Sequence, residues 1–383
     1  KSERLVSKLY FGCFRKGDQK NGSIMRILQI IDSLEAGGAE RMAVNYANAL
    51  SNEVEFSGLV VSRKEGPLLN EINSNVSYLF LNKKTIFDIR SVFKLRKFVI
   101  ENKVEIVHAH STSFFLAFLL KLTYPTVKLI WHDHYGDSEF LSKRPSLSLK
   151  LALPFFDGIL VVNQKLKIWA EQTLHFKNVV YLPNFPSKEN KISSQTVLRG
   201  NPRKRIVSLA NLRVQKDHFL VLEVAKKIKL SHPEWTFHLV GKDFEDDYSK
   251  KIKGLISDFN LEDMIFVYGS QQNIKSILNQ ADIGVLTSQS EGLPVALLEY
   301  GLYEKPVVVT NVGEISLVIQ DGINGFLVEP ASTQLFYDSV VKLIENDSLR
   351  ADFGKALQKT ILNNYSEEAV IQQYSRWLEN SIK

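Results

Sequence analysis

From Met25 onward, short runs rich in Ile, Val and Leu alternate with helix-length segments of amphipathic period, and the alternation goes round twice. Runs this short and this apolar fit strands buried on both faces, as in parallel sheets covered by helices. The first set is 27–31, 55–61, 76–81, 106–108, 127–131, 158–162 and 179–181. The second is 206–209, 236–240, 265–268, 283–286, 307–310 and 325–328. Between them, 186–202 is rich in Lys, Ser, Asn and Gln and lacks an apolar period, as a linker would. The expected fold class is therefore α/β, with two doubly wound, Rossmann-like parallel sheets. The predicted bounds are 25–190 for the first domain, 191–202 for the linker and 203–365 for the second domain. A last helix, 366–383, presents Val370, Ile371, Tyr374, Trp377 and Leu378 on one face and should pack on a domain.

Composition narrows the function classes. With 383 residues, 44% hydrophobic and 23% charged, the chain can build two cores. Its net charge of +6 is modest, and Lys1, Arg4, Lys8, Arg15, Lys16 and Lys20 carry much of it. Basic repeats interleaved with aromatics and zinc-type cysteine spacings are both missing, which argues against nucleic-acid binding. Cys13 is the only cysteine, so no disulfide can form within one chain, and a reducing compartment fits. Residues 1–24 mix aromatic and basic side chains without a spanning apolar core or a signal-type cleavage site. An extension without fixed structure, or residues upstream of the functional start, is the expectation there; a short amphipathic membrane contact is the alternative.

The most chemically suggestive stretch is 282–299. An apolar run, 283–286, leads through Glu291 and Gly292 to Pro294 and a helix that carries Glu299. Proline suits the first turn of a helix, and the free N–H groups of a helix start favour an anion. Glu299 then lies about 7 to 8 Å further along the axis than Pro294. Two carboxylates that can only accept hydrogen bonds suit hydroxyls on either side of a phosphate. Two sugars joined by a diphosphate have that pattern. A pair of solvated glutamates at a helix start is the plainer reading.

Further matches occur in order: Gly37, Gly38, Ala39, Glu40, Arg41; Ile106 to His110; His132, Asp133, His134; Leu182, Pro183, Asn184; Ala210 to Lys216; Leu239, Val240, Gly241; Glu291 to Glu299; Pro306 to Glu314; and Asp321 to Gly325. In these residues the chain resembles the retaining glycosyltransferases of glycosyltransferase family four, over nearly everything from Met25 onward. The resemblance implies the GT-B fold, two facing domains over a central cleft, with the acceptor on the first and a nucleotide-sugar on the second. It also implies that the last helix packs back toward the first domain. Implied activity is transfer of a sugar from a nucleoside diphosphate, commonly uridine diphosphate, to a hydroxyl of a saccharide or lipid-linked saccharide in bacterial surface polysaccharide synthesis. The implied reaction needs no metal or other cofactor, and the implied setting is the cytoplasm, with the inner face of the plasma membrane for lipid-linked acceptors.

By the same resemblance Glu299 holds the donor ribose, Glu291 touches hydroxyls of the transferred sugar, and backbone at Gly292, Leu293, Pro294 and Val295 holds phosphate. Arg213 and Lys216 follow the first strand of the second unit, where the crevice rule puts ligand-facing loops. Fixed cations there would stabilise a leaving diphosphate. The family commonly has its arginine where Asn211 stands, so Arg213 departs from the family's pattern. Gly37 and Gly38 open a helix at a strand's carboxyl end and can turn amides toward the diphosphate, and Gly241 belongs to the same donor side. His132 matches the histidine that contacts the donor sugar, with His110 and His134 near the acceptor. The two His-x-His pairs, 108/110 and 132/134, also raise zinc, but the resemblance implies a metal-independent site. Segment 90–103 reads as an amphipathic helix whose basic face is solvated or meets anionic lipid. An epimerase acting on nucleotide-sugars and a silent donor-binding partner are the rival readings.

Overall fold

The computed structural model describes residues 23–35, 37–136, 138–186, 196–271 and 273–382. The extension, apart from residues 23 and 24, and residues 191–195 of the expected linker lie outside the described residues. Residues 196–202 are described, and they belong to the second domain. Leu198 is fully buried in its core, and the Arg205 guanidinium donates to the carbonyls of Leu198, Arg199 and Gly200. The polar composition of the segment hides this, because one apolar side chain suffices to anchor it.

The first domain runs β1 (Ser23–Ser33), α1 (Gly38–Leu50), β2 (Val54–Lys64), β3 (Ser77–Phe80), α2 (Ile89–Glu101), β4 (Ile106–His110), α3 (Phe114–Thr123), β5 (Lys128–Asp133), α4 (Leu147–Ala152), β6 (Gly158–Val161), α5 (Gln164–Gln172) and β7 (Val179–Tyr181). The second runs β8 (Arg205–Leu209), α6 (His218–Ser231), β9 (Thr236–Val240), α7 (Asp247–Asp258), β10 (Ile265–Val267), α8 (Ile274–Gln280), β11 (Ile283–Leu286), α9 (Val295–Leu302), β12 (Val307–Thr310), α10 (Ile315–Val318), β13 (Phe326–Val328), α11 (Thr333–Glu345) and α12 (Asp347–Asn364). A final helix, α13 (Glu367–Ser381), follows.

Both sheets are parallel, in the orders β3-β2-β1-β4-β5-β6-β7 and β10-β9-β8-β11-β12-β13. The order reverses beside β1 in one sheet and beside β8 in the other. Ligands in doubly wound sheets bind beyond the strand carboxyl ends at such reversals. The central strands of each sheet are buried along their length, which is why their sequence runs are apolar rather than alternating.

Helix α13 leaves the second domain and seats Val370, Ile371, Tyr374, Leu378 and Ile382 against Met25, Ile27, Ile106, Ile130 and Leu160 of the first sheet. Each such side chain contributes about 1.5–3 kcal/mol on burial, so together they rival the whole stability of a typical domain, about 5–15 kcal/mol. Gly158 on β6 permits the approach. A Cβ there would lie 2.6 Å from Trp377 Cζ2. No helix among the described residues is long and apolar enough to cross a membrane.

Candidate functional site

A cleft of about 510 Å³ opens between the two sheets and takes its walls from both. Gly37, Gly38, Arg213, Lys216, Gly241, Glu291, Gly292, Leu293, Pro294, Val295, Glu299 and His134 all line it. His110 and His132 are not among the lining residues. Glu35, Glu40, Tyr135, Asn184, Lys242, Phe244 and Gln271 line it too, although the sequence alone gives them no role.

On the second domain, α9 is held rigidly. The Tyr300 hydroxyl accepts from Leu209 N–H (2.7 Å) and donates to the Val207 carbonyl (3.1 Å), tying the helix underside to β8. Pro294 is the N-cap of α9, one position earlier than its expected place in the first turn, and it offers no side-chain cap. Glu299 is thus the fifth helical residue. Several helices lack a side-chain cap, and those of α1 and α9 are the uncapped starts that open on the cleft. The first-turn amides of α9 are therefore available to an anion, whereas those of α1 lie under the Glu40 carboxylate.

Beside that start, Lys216 Nζ donates to Glu291 Oε1 at 2.5 Å, and Ser288 Oγ donates to the same oxygen at 2.6 Å. Glu291 is 8% exposed. The loop of Lys216 is laced to the loop before α9: Thr287 Oγ1 donates to the Lys216 carbonyl (2.8 Å), Gln289 N–H to the Gln215 carbonyl (2.8 Å), and Gln289 Nε2 to Asp217 (3.0 Å). Asp217, in the left-handed region at φ 47°, caps α6 through Leu220 N–H. Lys216 is thereby fixed at both ends. The Arg213 guanidinium stacks over the Phe244 ring at 4.5 Å, which orients its fork. Asn211, where the family commonly has its arginine, accepts from Lys242 N–H at 2.7 Å. Gly241 is needed for that approach, since a Cβ would stand 2.1 Å from the Ala210 carbonyl oxygen.

Across the cleft, Gly37 is the N-cap of α1 in an extended conformation. The Glu40 side chain folds back over it: a Cβ on Gly37 would meet Glu40 Oε2 at 2.2 Å. Ser33 Oγ donates to Glu40 at 3.3 Å, and burial raises the pKa of its carboxyl above the ordinary value. A native carboxylate thus stands beside the glycine loop, facing Arg213 of the other domain, whose charge acts on it. Arg41 also lines the cleft and pairs with Glu71 at 3.2 Å.

The four histidines form one stack, with ring centroids 4.4 Å (108–110), 5.1 Å (108–132), 5.3 Å (110–134) and 3.9 Å (132–134) apart. His108 Nδ1 is 3.0 Å from the Tyr374 hydroxyl of α13 and its Nε2 is 3.1 Å from His132 Nδ1. His110 links Gln29 (2.9 Å) and His134 (3.0 Å). Ligand atoms of His108, His110 and His132 lie within 4.8 Å of one another, close enough to share a metal. Burial drives all four pKa values down, that of His134 to about 3. His110 and His132 therefore form the layer behind His134. Alternation along β4 and β5 turns them into the interior between the sheet and α13.

The segment after His134 is fixed by Arg144, which grips buried Asp133 at 2.6 and 2.9 Å and lies against the rings of Tyr135 and Trp169 at 4.2 and 4.4 Å. Between the domains, Glu314 accepts from Gln164 N–H (2.7 Å) and the Tyr181 hydroxyl (2.9 Å), Asn184 Nδ2 donates to the Leu293 carbonyl (2.9 Å), and Lys242 pairs with Glu35.

The family described as Glycosyltransferase Family 4 matches residues 36–186, which hold the first sheet apart from β1, and the one described as Glycosyl transferases group 1 matches residues 189–360, which hold the whole second sheet. The chain is a GT-B glycosyltransferase. Among its relatives is the UDP-Gal:alpha-D-GlcNAc-diphosphoundecaprenol alpha-1,3-galactosyltransferase of Escherichia coli, 24% identical over 86% of this chain and 90% of that one. Another is the N-acetyl-alpha-D-glucosaminyl L-malate synthase of Bacillus anthracis, 23% identical over 80% and 84%. Anabaena HepE, solved in complex with UDP and glucose, superposes with a TM-score of 0.75 over 93% of this transferase and 100% of its own chain, at 17% identity. At that identity the structural likeness speaks for the fold.

Proposed function

We propose that this transferase moves a hexose from a UDP-sugar to a hydroxyl of a saccharide or lipid-linked saccharide, with retention at the anomeric carbon and without a metal, in the synthesis of a bacterial surface polysaccharide. One observation carries the reading: a fixed lysine–glutamate pair, Lys216 and Glu291, stands at the uncapped start of α9, about a turn and a half from Glu299 and opposite the glycine loop that opens α1. The names of the relatives, including a galactosyltransferase that acts on a lipid diphosphate, support the substrate class.

In this reading Lys216, with three N–H donors and one of them on Glu291, turns the others to the diphosphate. Arg213 adds a planar fork, and the amides of Gly292 to Val295 complete an anion seat whose charge stabilisation needs no reorganisation as the leaving group departs. Glu299 receives the ribose hydroxyls and Glu291 those of the sugar. Because Glu40 overlies the Gly37–Gly38 loop, the diphosphate meets that loop only as the Glu40 side chain turns aside. His134 and Tyr135 face the acceptor. His110 and His132 act through His134, which their stack holds in place. The departing phosphate oxygen takes the acceptor proton on the same face of the sugar. The acceptor is placed at a membrane surface.

Thermal-shift titration should rank UDP above other nucleoside diphosphates, with a stabilisation that follows ligand concentration. Lys216→Ala should lower kcat about a hundredfold or more, and Glu299→Ala should mainly weaken UDP binding. An unchanged kcat for Lys216→Ala would remove the charge-stabilising role. Consumption of donor without any acceptor would favour the epimerase.

A further inference from the structure

The helices on the outer face of the first sheet leave an apolar strip uncovered. Ile86, Phe87, Ile89 and Phe93 at the start of α2, and Leu147 and Leu151 on α4, each expose more than half their surface. These are not scattered residues. A ladder of aromatic contacts joins the two groups: Phe87 to Phe115 at 5.6 Å, Phe115 to Phe118 at 6.0 Å, and Phe118 to Phe155 at 5.1 Å, just beyond α4. Contiguous apolar surface of this kind marks a place where something binds.

Charge identifies the occupant. Lys84 and Arg90 are exposed at one end of the strip, and Lys150 is exposed between Leu147 and Leu151 at the other. The nearby acid Asp88 turns its carboxylate to the start of α2, where it accepts from Ser91 N–H and Ser91 Oγ. A second copy of the chain packed symmetrically on this face would set the same cations against each other. A surface of anionic headgroups over acyl chains satisfies both features, because apolar side chains enter the boundary while lysine and arginine remain at headgroup level.

Position agrees with that occupant. Segment 82–88 leaves the carboxyl end of β3, α3 follows β4, and the segment that leaves β5 lines the cleft with His134, Tyr135 and Gly136 before it reaches α4. The strip therefore begins at the end of the sheet on which the cleft opens. We propose that it docks the enzyme on an anionic lipid bilayer, with the acceptor side of the cleft turned to the lipid-linked substrate. The choice of substrate rests on the function proposed above; the docking itself does not.

The full chain, without donor or acceptor, is sedimented with vesicles of phosphatidylglycerol and phosphatidylcholine in equal parts, and with vesicles of phosphatidylcholine alone. Binding should be stronger to the anionic vesicles by about tenfold or more and should weaken with salt. The variants F87S/L147S/L151S and K84E/R90E/K150E should each lose about tenfold in vesicle binding. Both should keep the UDP-induced thermal shift of the parent, which shows that they are folded with the donor side intact. Vesicle binding that both variants retain, or no binding by the parent, would overturn the proposal. So would a parent that dimerises in solution and loses the dimer in F87S/L147S/L151S. Vesicle binding without sugar transfer would leave docking standing and count against the proposed reaction.

Discussion

Four stacked imidazoles in a protein interior are held neutral by their surroundings. His108, His110 and His132 are buried, and His134 titrates only at about 3. In the unfolded chain each takes up a proton as the pH falls through about 6.5. Below that value the unfolded state binds more protons than the folded one, so stability is full above about pH 6.5 and is lost progressively on the way down to about pH 3. Replacing one member, as in His132→Gln, removes one proton from that difference. The slope of unfolding free energy against pH between 6 and 4 should then fall by about 1.4 kcal/mol per pH unit, read from urea titrations. An unaltered slope would mean that His132 is protonated in the folded state.

The contrast between these histidines and Glu291 shows how far residues speak for themselves. Glu291 to Glu299 is a contiguous motif, so strand, turn and helix propensities along one short stretch are enough to place both carboxylates. The ion pair between Lys216 and Glu291 spans 75 positions, and Glu40 acts through a fold-back over Gly37. No local pattern encodes either. The neighbours of His132 in sequence match those of a donor-contacting histidine, yet its burial depends on α13, which arrives from the other end of the chain.

At the scale of elements, the apolar runs locate each strand, and the differences lie at the ends. β1 and β2 extend through Asp32, Ser33, Arg63 and Lys64, polar residues at the sheet's cleft-facing edge where burial no longer selects side chains. β4 also runs on to His110, which stays fully buried. Short α4 leaves no readable period because it spans little more than one turn. The docking of α13 gives a test at this scale. Gly158→Ala would place a Cβ 2.6 Å from the Trp377 ring and 2.9 Å from Ile382, forcing the helix away from β6. The expected cost is about 1–3 kcal/mol, seen as a lower denaturation midpoint together with faster proteolysis near residue 366. An unmoved midpoint would show that α13 yields freely.

For the molecule as a whole, the contacts between domains surround the cleft. Glu314 of the second domain serves Gln164 and Tyr181 of the first, and its carboxyl is pushed up by burial against the pull of those two donors. Glu314→Ala leaves both donors without that carboxylate and should let the domains part. Small-angle scattering should then show a larger radius of gyration, and UDP affinity should drop about tenfold. If the radius stays the same, the closed arrangement rests on Asn184–Leu293 and Glu35–Lys242 instead.

The path of α13 also sets an order of events during synthesis. Residues 367–382 complete the core of the sheet formed by residues 23–181, yet the ribosome makes the entire second domain before them. Until then Met25, Ile27, Ile106, Ile130 and Leu160 lack their final cover, and His108 lacks Tyr374. The nascent first domain must therefore wait, incompletely packed, through the translation of about half the chain, and is a natural client for chaperones that shield apolar surface.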